Sequence, residues 1–124
     1  MIALDTSSMI AFLAGDVGAD VAGVDASLAD HTAVLPPVVL TELLSDPALQ
    51  KSDVDLFRAL PLLPVLGGFW SRTGVLRAKV LARGLKARLA DALIAQSCID
   101  HRVTLIARDD DFRHFVRLGL KLVP

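Results

Sequence analysis

The stretch Ile2-Ala3-Leu4-Asp5-Thr6-Ser7-Ser8 decides the fold of this chain. Three apolar residues that end at a polar run are typical of a short buried strand. The hydroxyls of Thr6, Ser7 and Ser8 can cap a helix, and the apolar spacing over the next residues predicts that helix. A buried strand that runs directly into a helix is the first half of a β-α-β unit. The opening of the chain therefore favours a parallel α/β sheet.

The same alternation of apolar runs and helical patterns continues to the end of the chain. Further strands are expected at 32–35, 62–66, 103–107 and 121–123. Helices are expected at 19–30, 38–45, 53–60, 69–83 and 86–101, with one more after residue 109. A chain of 124 residues has room for one domain, which we assign to residues 1–124.

Composition excludes several classes of protein. A hydrophobic content of 53% and a mean hydropathy of +0.54 exclude a disordered chain. The longest uncharged stretch, residues 59–71, contains two prolines and is shorter than the roughly 20 residues of a membrane span. The single Cys98 cannot form an internal disulfide, and the first residues do not resemble a signal peptide. We expect a cytoplasmic protein with no membrane partner.

The charge is unevenly distributed along the chain. Residues 1–69 carry nine acidic and two basic side chains, a net charge of −7, whereas residues 70–124 carry five acidic and eleven basic ones, a net charge of +6. This asymmetry permits a basic surface on a protein whose overall charge is only −1. Solvated helix faces would explain the same pattern.

Two acidic residues follow predicted strands. Asp5 ends the first strand, and Asp109 follows the strand at 103–107, with Asp111 two residues further on. Ligands of open α/β sheets bind outside the carboxyl ends of the strands. Either residue could instead simply cap the helix that follows it.

Two more acidic residues lie within apolar helices. Glu42 stands in Val38-Val39-Leu40-Thr41-Glu42-Leu43-Leu44, and Asp91 stands in Leu89-Ala90-Asp91-Ala92-Leu93-Ile94-Ala95. We expect both side chains to be half-buried, where a carboxylate is rare unless it is paired or bound to a ligand. Surface positions on amphipathic helices remain the alternative.

A parallel fold could gather these four carboxylates, and such a cluster needs a proton or a cation to offset its repulsion. Oxygen ligands suit Mg²⁺ or Mn²⁺, whereas His31, His101, His114 and Cys98 lack the spacing of a zinc site. A carboxylate-held Mg²⁺ can activate water against a phosphodiester bond. The acidic residues therefore indicate a phosphodiesterase.

These motifs resemble those of PIN-domain ribonucleases, and most of all the VapC toxins of prokaryotic toxin–antitoxin pairs. The resemblance rests on Asp5-Thr6-Ser7, on Thr41-Glu42-Leu43-Leu44 after the proline pair, on Ala90-Asp91-Ala92-Leu93-Ile94-Ala95, and on Leu105-Ile106-Ala107-Arg108-Asp109-Asp110-Asp111-Phe112. It implies a three-layer α/β/α fold with a mostly parallel central sheet of four to five strands. It also implies Mg²⁺- or Mn²⁺-dependent endonucleolytic cleavage of RNA and a cognate antitoxin that silences the enzyme.

The resemblance also assigns roles to residues. Asp5, Glu42, Asp91 and Asp109 would be the catalytic, metal-binding quartet, with Asp111 an additional or alternative fourth ligand. Thr6 or Ser7 would hydrogen-bond a ligand carboxylate or water. The family commonly has Thr where this chain has Ala107, so one hydroxyl of the pattern is missing.

Basic and apolar residues complete the expected surface. An RNA backbone could be bound by Arg72, Arg77, Lys79, Arg83, Lys86, Arg88 and Arg108. The high hydrophobicity predicts an apolar groove for an antitoxin helix and for a homodimer, formed by Met9, Phe12, Leu40, Leu43, Leu44, Leu56 and Phe57, although core packing would equally explain these residues.

The sequence also allows three other interpretations. A phosphorylatable receiver domain would need paired acids after the first strand and a Lys after the last core strand, where this chain has Asp5-Thr6 and Arg108-Asp109. A dehalogenase-like phosphatase would need an Asp at Ser7. A catalytically silent PIN domain that only binds RNA or protein is the more serious alternative, and the presence of all four acids is the feature against it.

Overall fold

A four-stranded parallel sheet organises the chain in the computed structural model, which describes residues 1–123. The strands lie in the order β2-β1-β3-β4, with bounds β1 Ile2–Leu4, β2 Ala33–Val34, β3 Thr104–Ile106 and β4 Lys121–Leu122. Strand β1 is central because it pairs with both β2 and β3. The predicted parallel α/β sheet is confirmed.

Six α-helices and one 3-10 helix connect and cover the strands of the described chain. Their bounds are α1 Thr6–Leu13, α2 Ala19–Ala29, α3 Pro37–Leu44, α4 Lys51–Ala59, α5 Phe69–Ala82, α6 Leu89–His101 and the 3-10 helix Asp110–Leu118. Consecutive strand residues point to opposite faces of a sheet. Ala3 and Leu4, and likewise Leu105 and Ile106, are all buried, so helices cover both faces. The layering is α/β/α, as expected.

Helix α2 approaches the sheet closely. At Gly23, an added Cβ would lie 3.0 Å from Cδ1 of Ile106 in β3, so the absence of a side chain allows this spacing. No helix within residues 1–123 has the length and apolar character needed to cross a membrane.

The expected strand at 62–66 is wrong. Only an isolated bridge between Leu35 and Leu62 forms there, with hydrogen bonds from Leu35 N to Pro61 O and from Leu63 N to Leu35 O, both 2.9 Å. The segment that contains Leu35 leaves the sheet at Pro36 and enters α3. The residues after Leu63 therefore have no strand to pair with. Pro64 also has no N–H to donate.

Two helix starts differ from expectation. Helix α1 is capped by Asp5, whose carboxylate accepts a hydrogen bond from Ser7 N, rather than by a hydroxyl. Helix α6 begins at Leu89 and not at residue 86. The carbonyls of Lys86 and Ala87 are bound by His114 Nδ1 and Arg77 Nε, which hold this segment extended.

The apolar residues expected to line a groove mostly belong to the core. Met9, Leu43 and Phe57 are buried, and the other four are partly buried against the core. The exposed apolar residues of α1 are instead Ile10 and Leu13.

Candidate active site

Asp5 lies at the carboxyl end of the central strand and is only 4% exposed. Its Oδ2 accepts hydrogen bonds from Ser7 N at 3.3 Å and from Ser7 Oγ at 2.5 Å. Burial raises the pKa of Asp5, although the bonds from Ser7 act in the opposite direction. The side chain is thus both a helix cap and a partly desolvated carboxylate, so the two interpretations of Asp5 are compatible.

Asp109 follows β3, the neighbour of β1, so Asp5 and Asp109 lie at the same edge of the sheet. The N–H of Asp5 donates to Ile106 O at 2.9 Å, which joins the ends of β1 and β3. Asp109 Oδ1 accepts a hydrogen bond from Asp111 N at 2.9 Å and caps the 3-10 helix. Asp111 itself faces Lys86 Nζ at 3.7 Å.

Asp91 is the most strongly perturbed acid of the group. Burial, together with the negative charges of Asp5, Asp109 and Glu42, raises the pKa of Asp91 to about 6, although Arg88 opposes the shift. Its Oδ2 is buried and has no hydrogen-bond partner within the described chain. A buried carboxylate oxygen without a partner is costly and calls for a proton or a cation.

Glu42 is exposed, so the expectation of a half-buried side chain is wrong. Helix α3 buries Val39 and Leu43, and Glu42 lies on its outer side. Its Oε1 accepts a hydrogen bond from Thr6 Oγ1 at 2.7 Å. Through Thr6 the exposed carboxylate is tied to the first residue of α1, next to Asp5.

The donor set suits a hard divalent cation. All four side chains offer carboxylate oxygens, the ligands that Mg²⁺ and Mn²⁺ prefer. Among residues 1–123 no three Asp, Glu, His or Cys side chains already form a metal-binding group, so the carboxylates influence one another without converging. The feature that favours a cation here is Oδ2 of Asp91, a buried carboxylate oxygen with no hydrogen-bond partner among the described residues.

Several of the predicted RNA-binding residues are engaged within the protein. Arg72 forms a bidentate pair with Asp100, with Nε 3.0 Å from Oδ1 and Nη2 2.6 Å from Oδ2. Arg108 forms a similar pair with Asp20. Arg77 binds a backbone carbonyl and Lys86 faces Asp111. Within residues 1–123, no side-chain hydrogen bond or ion pair engages Lys79, Arg83 or Arg88.

Sequence reasoning missed Asp20. It accepts bonds from Ser8 Oγ at 3.0 Å and from Arg108, 88 residues away in the sequence. An acid in the first turn of a helix is common, so nothing local to Asp20 indicated this long-range contact.

Cys98 contributes no nucleophile to this site. It is buried, and burial raises the pKa of its thiol to about 12.

The PIN domain family matches residues 2–118. The chain belongs to the PIN-domain family. PIN domains are generally nucleases, and Asp5 and Asp109 follow the carboxyl ends of neighbouring parallel strands, where ligands of open α/β sheets bind.

Solved structures share the fold of this PIN domain over its whole length. VapBC2 from Rickettsia felis, bound to a DNA fragment from its promoter, is 25% identical with a TM-score of 0.74, and the match covers 99% of this chain and 98% of that chain. FitAcB from Neisseria gonorrhoeae is 17% identical with a TM-score of 0.71, covering 100% and 97%. FitAB bound to an IR36 DNA fragment is 18% identical with a TM-score of 0.74, covering 99% and 94%. The two Fit structures show the common fold alone, and no curated protein matches the chain.

Proposed function

We propose that this PIN domain is the toxin of a toxin–antitoxin pair and cleaves RNA as a Mg²⁺- or Mn²⁺-dependent endonuclease. The observation that carries the proposal is the buried, unpartnered Oδ2 of Asp91 in the field of Asp5, Asp109 and Glu42. The resemblance to VapC toxins and the similarity to VapBC2 support the choice of RNA and of a toxin role.

Asp5, Asp91 and Asp109 would hold the cation, with Glu42 at the exposed side. A bound Mg²⁺ or Mn²⁺ supplies an activated water and offsets charge on the leaving oxygen. We favour Asp109 over Asp111 because the charge of Asp109 acts on Asp91, whereas Asp111 faces Lys86. Ser7 fixes the orientation of Asp5 through its two hydrogen bonds.

Glu42 is suited to handle the proton of the attacking water. Thr6 occupies Oε1, which orients the carboxylate and leaves Oε2 exposed toward solvent. In hydrolysis, the water oxygen bonds to phosphorus and Oε2 accepts the proton that the water loses, while the bond from phosphorus to the leaving ribose oxygen breaks and that oxygen takes a proton from solvent.

The RNA backbone would be bound by cations with no partner of their own. Lys79, Arg83 and Arg88 meet this condition within the described residues, and Arg88 is close enough to the site to lower the pKa of Asp91. Phosphate contacts of this kind position a nucleic acid without reading its sequence.

A groove between α1, α3 and α4 suits an antitoxin helix. A cavity of about 270 Å³ is lined by apolar residues, among them Ile10, Leu13, Leu49 and the predicted groove residues Leu43 and Phe57, and by the acids Glu42, Asp46 and Asp53. The complementary partner is an amphipathic helix with basic residues beside its apolar face. Such a helix would cover Glu42 and so block the site.

A second apolar surface suits a homodimer. Trp70 is 69% exposed and Leu89 is 61% exposed. Trp70 lies between two cavities of about 190 and 350 Å³ whose linings also include Leu93. An exposed apolar area of this kind is typical of a protein interface. We place the activity in the cytoplasm, where the RNA substrate is found.

The test is incubation of the purified chain with a pool of structured RNAs in Mg²⁺, in Mn²⁺ and in EDTA, with products separated on a sequencing gel. Asp91→Asn is the test variant. Asp110→Asn is the matched control, because Asp110 is an exposed acid adjacent to Asp109.

We expect metal-dependent cuts at few sites in the wild type and the control, and none in Asp91→Asn. Equal cleavage by Asp91→Asn would exclude the proposed site. The folded, antitoxin-free wild type could also fail to cleave RNA in either metal. That result would favour a PIN domain that binds RNA or protein without cutting RNA.

A further inference from the structure

One carboxylate links the two chain segments that carry Asp5 and Asp109. Asp20, in the first turn of α2, accepts a hydrogen bond from Ser8 Oγ at 3.0 Å. The same side chain pairs with the guanidinium of Arg108, the residue directly before Asp109. Ser8 is the third residue of α1, the helix that Asp5 caps. Asp20 therefore stands between the segments that follow β1 and β3.

The pairing of Asp20 with Arg108 is bidentate. Arg108 Nε lies 2.9 Å from Oδ2 of Asp20, and Nη2 lies 3.0 Å from Oδ1. Nη2 also donates to Val17 O at 3.0 Å. Two parallel bonds to a planar guanidinium fix its orientation, which a single contact would not do.

The backbone around Asp20 leaves room for this arrangement. An added Cβ at Gly18 would lie 2.7 Å from Oδ1 of Asp20 and 3.1 Å from Nη2 of Arg108. The φ angle of Gly18 is +150°, a value that residues with side chains rarely adopt. The pairing of Asp20 with Arg108 therefore requires glycine at position 18.

This link opposes the repulsion among the carboxylates of the site. Asp5, Asp91 and Asp109 carry like charges, and their repulsion favours separation of the segments that hold them. The segment at Arg108 has no regular secondary structure between β3 and the 3-10 helix, so backbone pairing alone does not fix Asp109.

We propose that Asp20 is a positioning residue that acts through Ser8 and Arg108 to hold the Asp5 and Asp109 segments together. The effect of Asp20 on catalysis rests on the proposed function, in which Asp5 and Asp109 are ligands of the cation. It assigns Arg108 to the positioning of Asp109 and removes it from the RNA-contacting residues. Asp20 touches neither RNA nor cation in this role.

The test compares two substitutions of the same kind in the full chain. Asp20→Asn and Asp100→Asn each remove the charge of an acid that forms a bidentate pair with an arginine. Asp100 pairs with Arg72 and Gln96 and makes no hydrogen bond with the segments that carry Asp5 and Asp109 in the described chain. Arg108→Lys is the second test variant, because it keeps the positive charge but loses the planar guanidinium that forms two parallel hydrogen bonds. Thermal unfolding checks that every variant is folded.

The first readout needs no metal and no RNA. The amide of Asp111 donates to Asp109 Oδ1 at 2.9 Å, so its hydrogen exchange, followed by NMR, reports whether Asp109 is held in place. We expect Asp20→Asn and Arg108→Lys to accelerate exchange at Asp111 roughly fivefold or more. Asp100→Asn should leave it unchanged. Unchanged exchange in both test variants would overturn the positioning role.

The second readout separates positioning from an RNA contact by Arg108. Positioning predicts that Asp20→Asn weakens Mn²⁺ binding by roughly three- to tenfold and lowers kcat, with little change in KM for RNA. An RNA contact predicts the opposite pattern, because Asp20→Asn would release Arg108 and lower KM. A wild type that binds no Mn²⁺ would contradict the proposed metal-dependent function, while the amide exchange would still decide the positioning role.

Discussion

The hydroxyl of Thr6 donates a hydrogen bond to Oε1 of Glu42 at 2.7 Å and so joins the start of α1 to the outer side of α3. The two residues are 36 positions apart in the sequence. This bond is the structural reason why an exposed glutamate belongs to the candidate site: its carboxylate is held next to the cap of α1 and is not free to rotate in solvent.

Thr6→Val should lower RNA cleavage by about tenfold, because it removes the bond that orients Glu42 while keeping the shape of the side chain. The melting temperature should change little, since the bond is exposed. Thr41→Val is the control: Thr41 is an exposed threonine next to Glu42. Equal loss of activity in the two variants would show that the bond has no specific role.

Asp91→Asn should raise the melting temperature of the metal-free protein at pH 8. The pKa of Asp91 is about 6 in the folded chain and 3.8 in the unfolded chain. The ionised carboxylate therefore destabilises the fold above pH 6. As the pH falls from 6 to 4, folded wild type takes up the proton and becomes more stable. The difference between the two proteins should therefore shrink and vanish below about pH 4.

Calorimetry in EDTA at pH 8, 6 and 4 measures this difference. Added Mg²⁺ should raise the melting temperature of the wild type more than that of Asp91→Asn. A difference that stays constant from pH 8 to pH 4 would mean that Asp91 is not the titrating group.

Asp20→Asn should destabilise the fold at pH 7. The hydrogen bonds from Arg108 lower the pKa of Asp20 to about 2, from 3.8, so the pairing contributes stability above pH 4 that is lost as the pH falls through 2. Because Arg108 is exposed and the pair is screened by water, we expect the cost to be small. Urea unfolding at pH 7 and at pH 2.5 measures it, and the cost should be smaller at the lower pH.

Arg102→Gly should stabilise the protein by about 1 kcal/mol, because Arg102 adopts a left-handed conformation at the end of α6 with φ 53° and ψ 38°. Its side chain is exposed and makes no hydrogen bond or ion pair within residues 1–123. Arg58→Gly, in the last turn of α4, is the opposite case and should destabilise by about 0.5 to 1 kcal/mol. Chemical unfolding of both variants tests the pair, and a destabilised Arg102→Gly would be the contrary result.

The architecture of the sheet could be predicted because each strand is marked by a pattern within a few consecutive residues. Ile2–Leu4 and Thr104–Ile106 are short apolar runs, each followed by an acid, and parallel pairing then places Asp5 and Asp109 at the same edge of the sheet. The proline pair after residue 35 correctly predicted where β2 gives way to α3, but no local pattern showed that residues 62–66 would find only Leu35 to pair with.

Long-range contacts account for what could not be predicted at the site. Glu42 was expected to be half-buried on the basis of its apolar neighbours, yet its position depends on Thr6 in another helix. Asp20 and Arg108 are 88 residues apart, and the pairing depends on the folded path of the chain at Gly18. Residue patterns describe a single element well, but they do not specify which side chains of distant elements meet.

The central position of β1 has a consequence for synthesis on the ribosome. Strand β1 is translated long before its neighbour β3 and before Asp109. On the proposed site, a nascent chain that has not yet reached Asp109 lacks a ligand and cannot cut RNA. A ribosome making this protein would thus have to translate both strands and Asp109 before the product could cut RNA.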